Sequence, residues 1–240
     1  MDVDFIEKRI CRAAKWCAIL CLALSVPMIL IPMAPYHLSS PERMAWIQEH
    51  LGFHLAGWAT QMAWVFCFLG VFLGAGIRVF RSAPASALMA WAAAIVATSS
   101  FLIEKFITFW SLSIMARYHE IDQQGEAARM ADTLFPVWDG TTIFHFTSTL
   151  DWLGFAFYAI AGLLIAKPLW EKGGAARIAG VGLFGYAIGY ASILILSLVG
   201  PSPALINTHI ATVSIGLMLA IAALLVDFFK QEKAIQSISS

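Results

Sequence analysis

Six apolar runs of ~18 to ~27 residues alternate along the chain with short polar or Gly/Pro-rich segments, and ~20 apolar residues suffice for an α-helix to cross a bilayer. The pattern predicts spans at about residues 16–33, 51–77, 85–107, 142–166, 177–199 and 205–229. Pro27 and Pro32 are expected to kink or end the first span, since proline cannot donate the helical hydrogen bond. Ser39-Ser40-Pro41-Glu42 reads as a helix start, so the second helix is predicted to begin near Pro41 and run on to Ile77. The third span is interrupted by Glu104 and Lys105, after which the pattern resumes toward Ala116. Residues 117–140 form the one sizeable polar segment, predicted as an external helix around Gln124 to Leu134, then a break at Pro136 and an interface anchor at Trp138. The expected fold is all-α: a single integral-membrane domain built as a bundle of six transmembrane helices.

Composition supports this class. Hydrophobic residues make up 60% of the chain, charged ones 12%, and mean hydropathy is +0.78, which leaves too little polar surface for a soluble globule. With 15 basic and 15 acidic residues the net charge is zero, so the chain has no electrostatic footprint for nucleic acid, and that partner is set aside. Cys11, Cys17, Cys21 and Cys67 lack the C-x-x-C spacing of a zinc or redox site and read as small buried hydrophobes. Lys8, Arg9, Arg12 and Lys15 precede the first apolar run without a cleavage site beyond it, so that run is expected to be a retained span. Eleven of the fifteen basic residues fall in the segments that are cytoplasmic if the N-terminus is inside, against four outside. Both termini are therefore expected in the cytoplasm, with the chain crossing the cell (inner or plasma) membrane.

Candidate chemistry lies on polar stripes within the spans. His50, His54, Gly57 and Gln61 share one helical face; Ser100, Glu104, Thr108 and Ser111 share another; Thr141, His145, Ser148 and Trp152 form a third, with Asp151 at its edge. At 1.5 Å per residue from each helix's basic anchor, His54, Glu104, His145 and His209 all reach ~31 to ~36 Å, the outer edge of a ~30 Å apolar core. Asp151 lies ~9 Å deeper than His145. Asp151 is the leading candidate, because a carboxylate at that depth needs a partner. Glu104 is weaker, since Lys105 beside it places the chain at the headgroups. His37 and His119 read as loop residues.

Two kinds of chemistry suit such a set. Asp151, His145 and Glu104 could act as an acid/base group, while His54, His145 and His209 could ligate a divalent transition metal such as zinc, iron or copper. His50, Gln61 and Ser148 complete the expected pocket, and haem ranks below a metal because no pair has a familiar haem spacing. The expected function is an enzyme with an outward-facing site acting on a lipid-like or other hydrophobic small molecule. The alternative is a non-catalytic membrane subunit or a small-ligand or haem-binding module, with Gly185-x-x-x-Gly189 packing against a partner helix.

Overall fold

The structure, a computed structural model, describes residues 3–35, 38–121, 125–139, 146–200 and 203–238. Among these, every regular element is helical: α1 (Val3–Leu30), α2 (Ser40–Glu49), α3 (Leu51–Phe80), α4 (Pro84–Phe106), a π-helical stretch (Ile107–Leu112), α5 (Ser113–Ile121), α6 (Glu126–Trp138), α7 (Phe146–Lys172), α8 (Gly174–Val199) and α9 (Pro203–Ile238). Six helical segments are long and apolar enough to cross a membrane: Ile6–Leu30, Leu51–Phe80, Pro84–Ile121, Phe146–Lys172, Gly174–Val199 and Thr208–Lys233. The protein is thus an all-α, multi-pass membrane protein.

Local chemistry explains most boundaries and corrects two expectations. α1 carries Pro27 inside it and stops at Leu30, since Ile31 precedes Pro32 and is pushed out of the helical region. α2 starts where expected: the Glu42 carboxylate accepts hydrogen bonds from the Ser39 backbone N–H (2.8 Å) and hydroxyl (2.7 Å), and Pro41 sits in the first turn. The helix beginning near Pro41 does not run unbroken to Ile77, because His50 (φ −118°, ψ 31°) separates α2 from α3. Its ring stacks on Trp46 (4.5 Å between centroids), and its Nδ1–H shares the Trp46 carbonyl (3.1 Å) with the His50 backbone N–H (2.9 Å). Nor does Pro136 break α6, which continues to Trp138; so late in a helix the missing N–H costs a single bond. α7 and α8 are joined by Gly173 (φ 76°) and Gly174 (φ 55°), in the left-handed region that glycine tolerates.

The residues group into two compact units. One comprises Met1–Leu22, Phe66–Ala97 and Phe155–Ser240. In it, Phe68, Phe72 and Tyr158 form an aromatic cluster with centroids 4.4 to 5.0 Å apart, and α8 packs on α9 where Gly182 and Gly189 face Ala220 and Val213. Gly185 faces open space. Among its described charges, Arg78 pairs with Asp227 at 2.6 Å, both largely buried, and Arg12 and Lys15 pair with Glu232.

The other unit comprises Ala23–Val65 and Thr98–Gly154. Its core is Ala34, Met44, Ile47, Leu112, Ala116 and Phe135, contributed by the segment after α1, by α2, the π-helical stretch, α5 and α6. This apolar cluster fixes the helices that carry the polar residues described next.

Candidate functional site

Within the second unit, α3 projects His54, Trp58 and Gln61 at i, i+4 and i+7 into a cavity of about 170 Å³. Glu104, Lys105 and Thr108 enter it from α4 and the π-helical stretch, and Ser148 and Asp151 from the first turns of α7. Arg43 of α2 and Asp139, just past α6, complete the polar lining, with Met33, Ala34 and Leu112 supplying apolar surface.

Lys105 is the hub. Its ammonium lies 2.9 Å from Asp151 Oδ1 and 2.6 Å from Glu104 Oε2, the latter as an ion pair without hydrogen-bond alignment. It also sits over the rings of Trp58 (5.2 Å) and Phe101 (5.6 Å), so two carboxylates and two aromatic faces surround one cation. The Lys105 side chain is only 10% exposed and that of Glu104 7%, whereas Asp151 is 33% exposed. Of the two carboxylates, Glu104 is therefore the more buried and Asp151 the more exposed. Thr108 Oγ1 bonds back to the Glu104 carbonyl at 3.0 Å and reaches Oε1 at 3.3 Å.

A second ion pair closes the site. Arg43 donates to both carboxylate oxygens of Asp139 (2.6 and 2.8 Å) and, through Nη1, to the carbonyls of Ala34 and Pro35 (2.8 and 2.7 Å). The fork geometry matches a carboxylate edge, and four donor contacts leave the buried guanidinium well satisfied. In all, three carboxylates face two cations among the described residues.

His54, 2% exposed, has its Nε2 3.2 Å from the Thr108 carbonyl. A carbonyl only accepts, so Nε2 carries the proton; in the neutral ring Nδ1 is then a lone-pair acceptor. That Nδ1 is buried without a hydrogen-bond partner, and so is the Trp58 Nε1–H one turn on. The two rings meet edge-on at 6.2 Å. The carbonyl that holds His54 belongs to the π-helical stretch, an irregularity common at functional sites.

The structure thus brings His54, Gln61, Glu104, Ser148 and Asp151 together. His50 does not line this cavity and is held against Trp46. His209 lies half-buried on α9, in the first unit. His145, expected both as a catalytic residue and as a ligand, lies outside the described residues. Among the described residues no three His, Cys, Asp or Glu side chains come together as a metal ion requires.

Lys105, Arg43, Asp139 and Trp58 were not among the sequence candidates, and Thr108 was one only as a member of a polar stripe. Lys105, read from sequence as a sign of the headgroup level, is buried against its neighbour Glu104. The available signal was an adjacent Glu-Lys pair with apolar residues on both sides. Arg43 and Asp139 are 96 residues apart, one in the first turn of the helix expected from Pro41 and the other at the end of the 117–140 polar segment, and nothing local pairs them. The fold and this cavity define a multi-pass helical membrane protein with a charged, enclosed polar site. Compared with protein-family models, curated proteins and solved structures, the chain matches none.

Proposed function

We propose that the protein is an enzyme of the cell membrane that binds the polar head of a lipid-like or other hydrophobic small molecule in the cavity around Lys105 and acts on it by acid/base chemistry. One observation carries the reading: His54, whose Nδ1 is buried with no partner, lines the same cavity as two carboxylates sharing one ammonium. An unpaired buried acceptor costs ~1–3 kcal/mol, so its retention favours use over packing. In this reading His54 Nδ1 takes a proton from the bound head, Thr108 holds the ring in the required tautomer, and Lys105 keeps Glu104 and Asp151 poised beside it. The acid/base form is preferred to the metal-assisted one because the described residues do not converge as a ligand set. On the bias of basic residues, the cavity opens on the outer side of the membrane.

The competing reading, a non-catalytic subunit, is favoured by the pairing of Arg43 with Asp139 and of Lys105 with Glu104 and Asp151, since such pairs also tie helices together. Purifying the full chain in nanodiscs, identifying retained small molecules by mass spectrometry, and following their conversion separates the two. The enzyme reading expects a retained molecule with a polar head whose turnover falls ~10²-fold or more in Glu104→Gln and Asp151→Asn. Unchanged small molecules in both variants, together with co-elution of another membrane protein, would overturn it.

A further inference from the structure

Where α7 and α8 meet at Gly173, a groove of about 290 Å³ runs between them, lined by Ala166, Lys167 and Trp170 of α7 and by Gly180, Val181 and Phe184 of α8. It belongs wholly to the first unit and shares no residue with the Lys105 cavity. Its floor is a close approach of two helices, since a side chain on Gly180 would collide with the Ala166 carbonyl. Its walls are apolar and open to the outside: Trp170 and Val181 are each 49% exposed and Phe184 is 52% exposed. Both helices are membrane-crossing segments, and at 1.5 Å per residue from Gly173 the lining residues lie ~5 to ~17 Å inside the turn. The groove is about ten times a water's ~30 Å³ share of liquid volume, and with apolar walls at that depth it takes hydrocarbon, not water.

Two exposed cations stand beside it. Lys167 lends its stem to the groove, which lets the ammonium reach toward the headgroups; its side chain is 86% exposed, and its ion-pair partner is Glu171 at 3.9 Å, itself 60% exposed. The Arg177 guanidinium lies over the Trp170 ring (5.3 Å), and its Nε–H donates to the Trp170 carbonyl (3.4 Å), with no carboxylate paired to it among the described residues. Since Lys167 precedes Trp170 by three residues on the same helical face, both cations are tied to one ring of the groove. We infer that this groove binds an anionic phospholipid of the leaflet that contains the α7–α8 turn, with an acyl chain against Val181 and Phe184 and the phosphate held by Lys167 and Arg177. Trp170 already orients the guanidinium, whose remaining N–H groups can meet phosphate oxygens. A zwitterionic head brings the same phosphate but adds a positive charge beside two already present, so its net attraction is smaller. Glu171 offsets one cation, and the one that remains is worth about a fivefold preference for the anionic head.

The test reconstitutes the full chain in nanodiscs of phosphatidylcholine carrying a minor fraction of brominated-chain lipid, either phosphatidylglycerol or phosphatidylcholine. Bromine quenches tryptophan on contact, and the Trp170 share of the fluorescence is the difference between the parent chain and Trp170→Phe. The expected result is that brominated phosphatidylglycerol quenches this share with an affinity about fivefold or more above that of brominated phosphatidylcholine. Lys167→Gln with Arg177→Gln should abolish the preference. Lys230→Gln with Lys233→Gln removes two exposed cations of α9 that do not line the groove, and should retain it. Val181→Phe fills the groove without changing charge and should weaken the binding of both lipids. Equal quenching by the two lipids, loss of the preference in the α9 variant, or unchanged binding in Val181→Phe would overturn the inference. So would a Trp170 that neither lipid quenches, which with a doubled particle mass would assign the face to a second copy of the chain.

Discussion

At the scale of single residues, the two buried ion pairs make different demands. Arg43→Ala strands the Asp139 carboxylate, only 3% exposed, without its cation, and breaking a buried pair from one side costs roughly 3–5 kcal/mol. The double replacement Arg43→Met with Asp139→Leu removes both charges, so it should recover most of that loss; denaturation in detergent micelles reads both. Lys105→Met should be the most damaging single change in the cavity, since it leaves Glu104 and Asp151 facing each other without the ammonium they share. Lys105→Arg should not rescue it, because a planar fork does not fit a pocket shaped by two rings and two carboxylates around a point charge. Loss of retained ligand in both variants is the expected measurement. Of these residues, His54, Glu104 and Asp151 were legible because an ionisable group within an apolar run must find company. Their partners were less so. Lys105 has a long stem that permits either a surface or a buried position, and Arg43 and Asp139 meet only through the tertiary fold.

Among the elements, the spans were readable and their irregularities were not. Apolar length sets the spans, but the interruption at His50 is announced only by Gly52 two residues on, and it is accompanied by a ring stacked on Trp46. The π-helical stretch Ile107–Leu112 is equally silent in sequence, yet it sets the direction of everything after it. Deleting Trp110, which is 55% exposed, should restore α-helical winding and rotate the following residues by about 100° about the axis. Leu112 and Ala116, both almost fully buried against Met44 and Phe135, would then leave the core. The deletion should therefore destabilise the fold and abolish ligand retention, whereas Trp110→Ala should do neither; limited proteolysis and the retention assay report both. A similar contrast separates the two glycines of α8. A side chain at Gly189 would collide with Val213 of α9, while one at Gly185 meets nothing within 4 Å. Gly189→Leu should lower thermal stability in micelles by several degrees and Gly185→Ala should leave it unchanged.

For the whole molecule, hydropathy was sufficient to give an all-α chain with six membrane-crossing segments, because in lipid the backbone must satisfy its own hydrogen bonds and helices do so locally. Division into two compact units was not legible, since it depends on which side chains meet and not on where apolar runs begin. The orientation rests on the distribution of Lys and Arg, and the structure sharpens that argument. Of the four basic residues assigned to the outer side, Arg43 and Lys105 are withdrawn into buried ion pairs, leaving Arg117 and Arg129 as its exposed positive charge. By the same reckoning the inner segments lose Arg78 and Lys15, each 11% exposed and paired with Asp227 and Glu232, and keep nine, including Lys167 and Arg177 at exposed positions flanking the α7–α8 turn. Since it is positive charge near the span ends that resists translocation, the true bias exceeds the raw count, and both termini should lie in the cytoplasm. A reporter enzyme active only outside the cytoplasm should be silent when fused after Ser240 and active when inserted beside Gly125, between α5 and α6. Activity at the C-terminal fusion would invert the topology and turn the Lys105 cavity toward the cytoplasm, where its ligand would have to be supplied from inside.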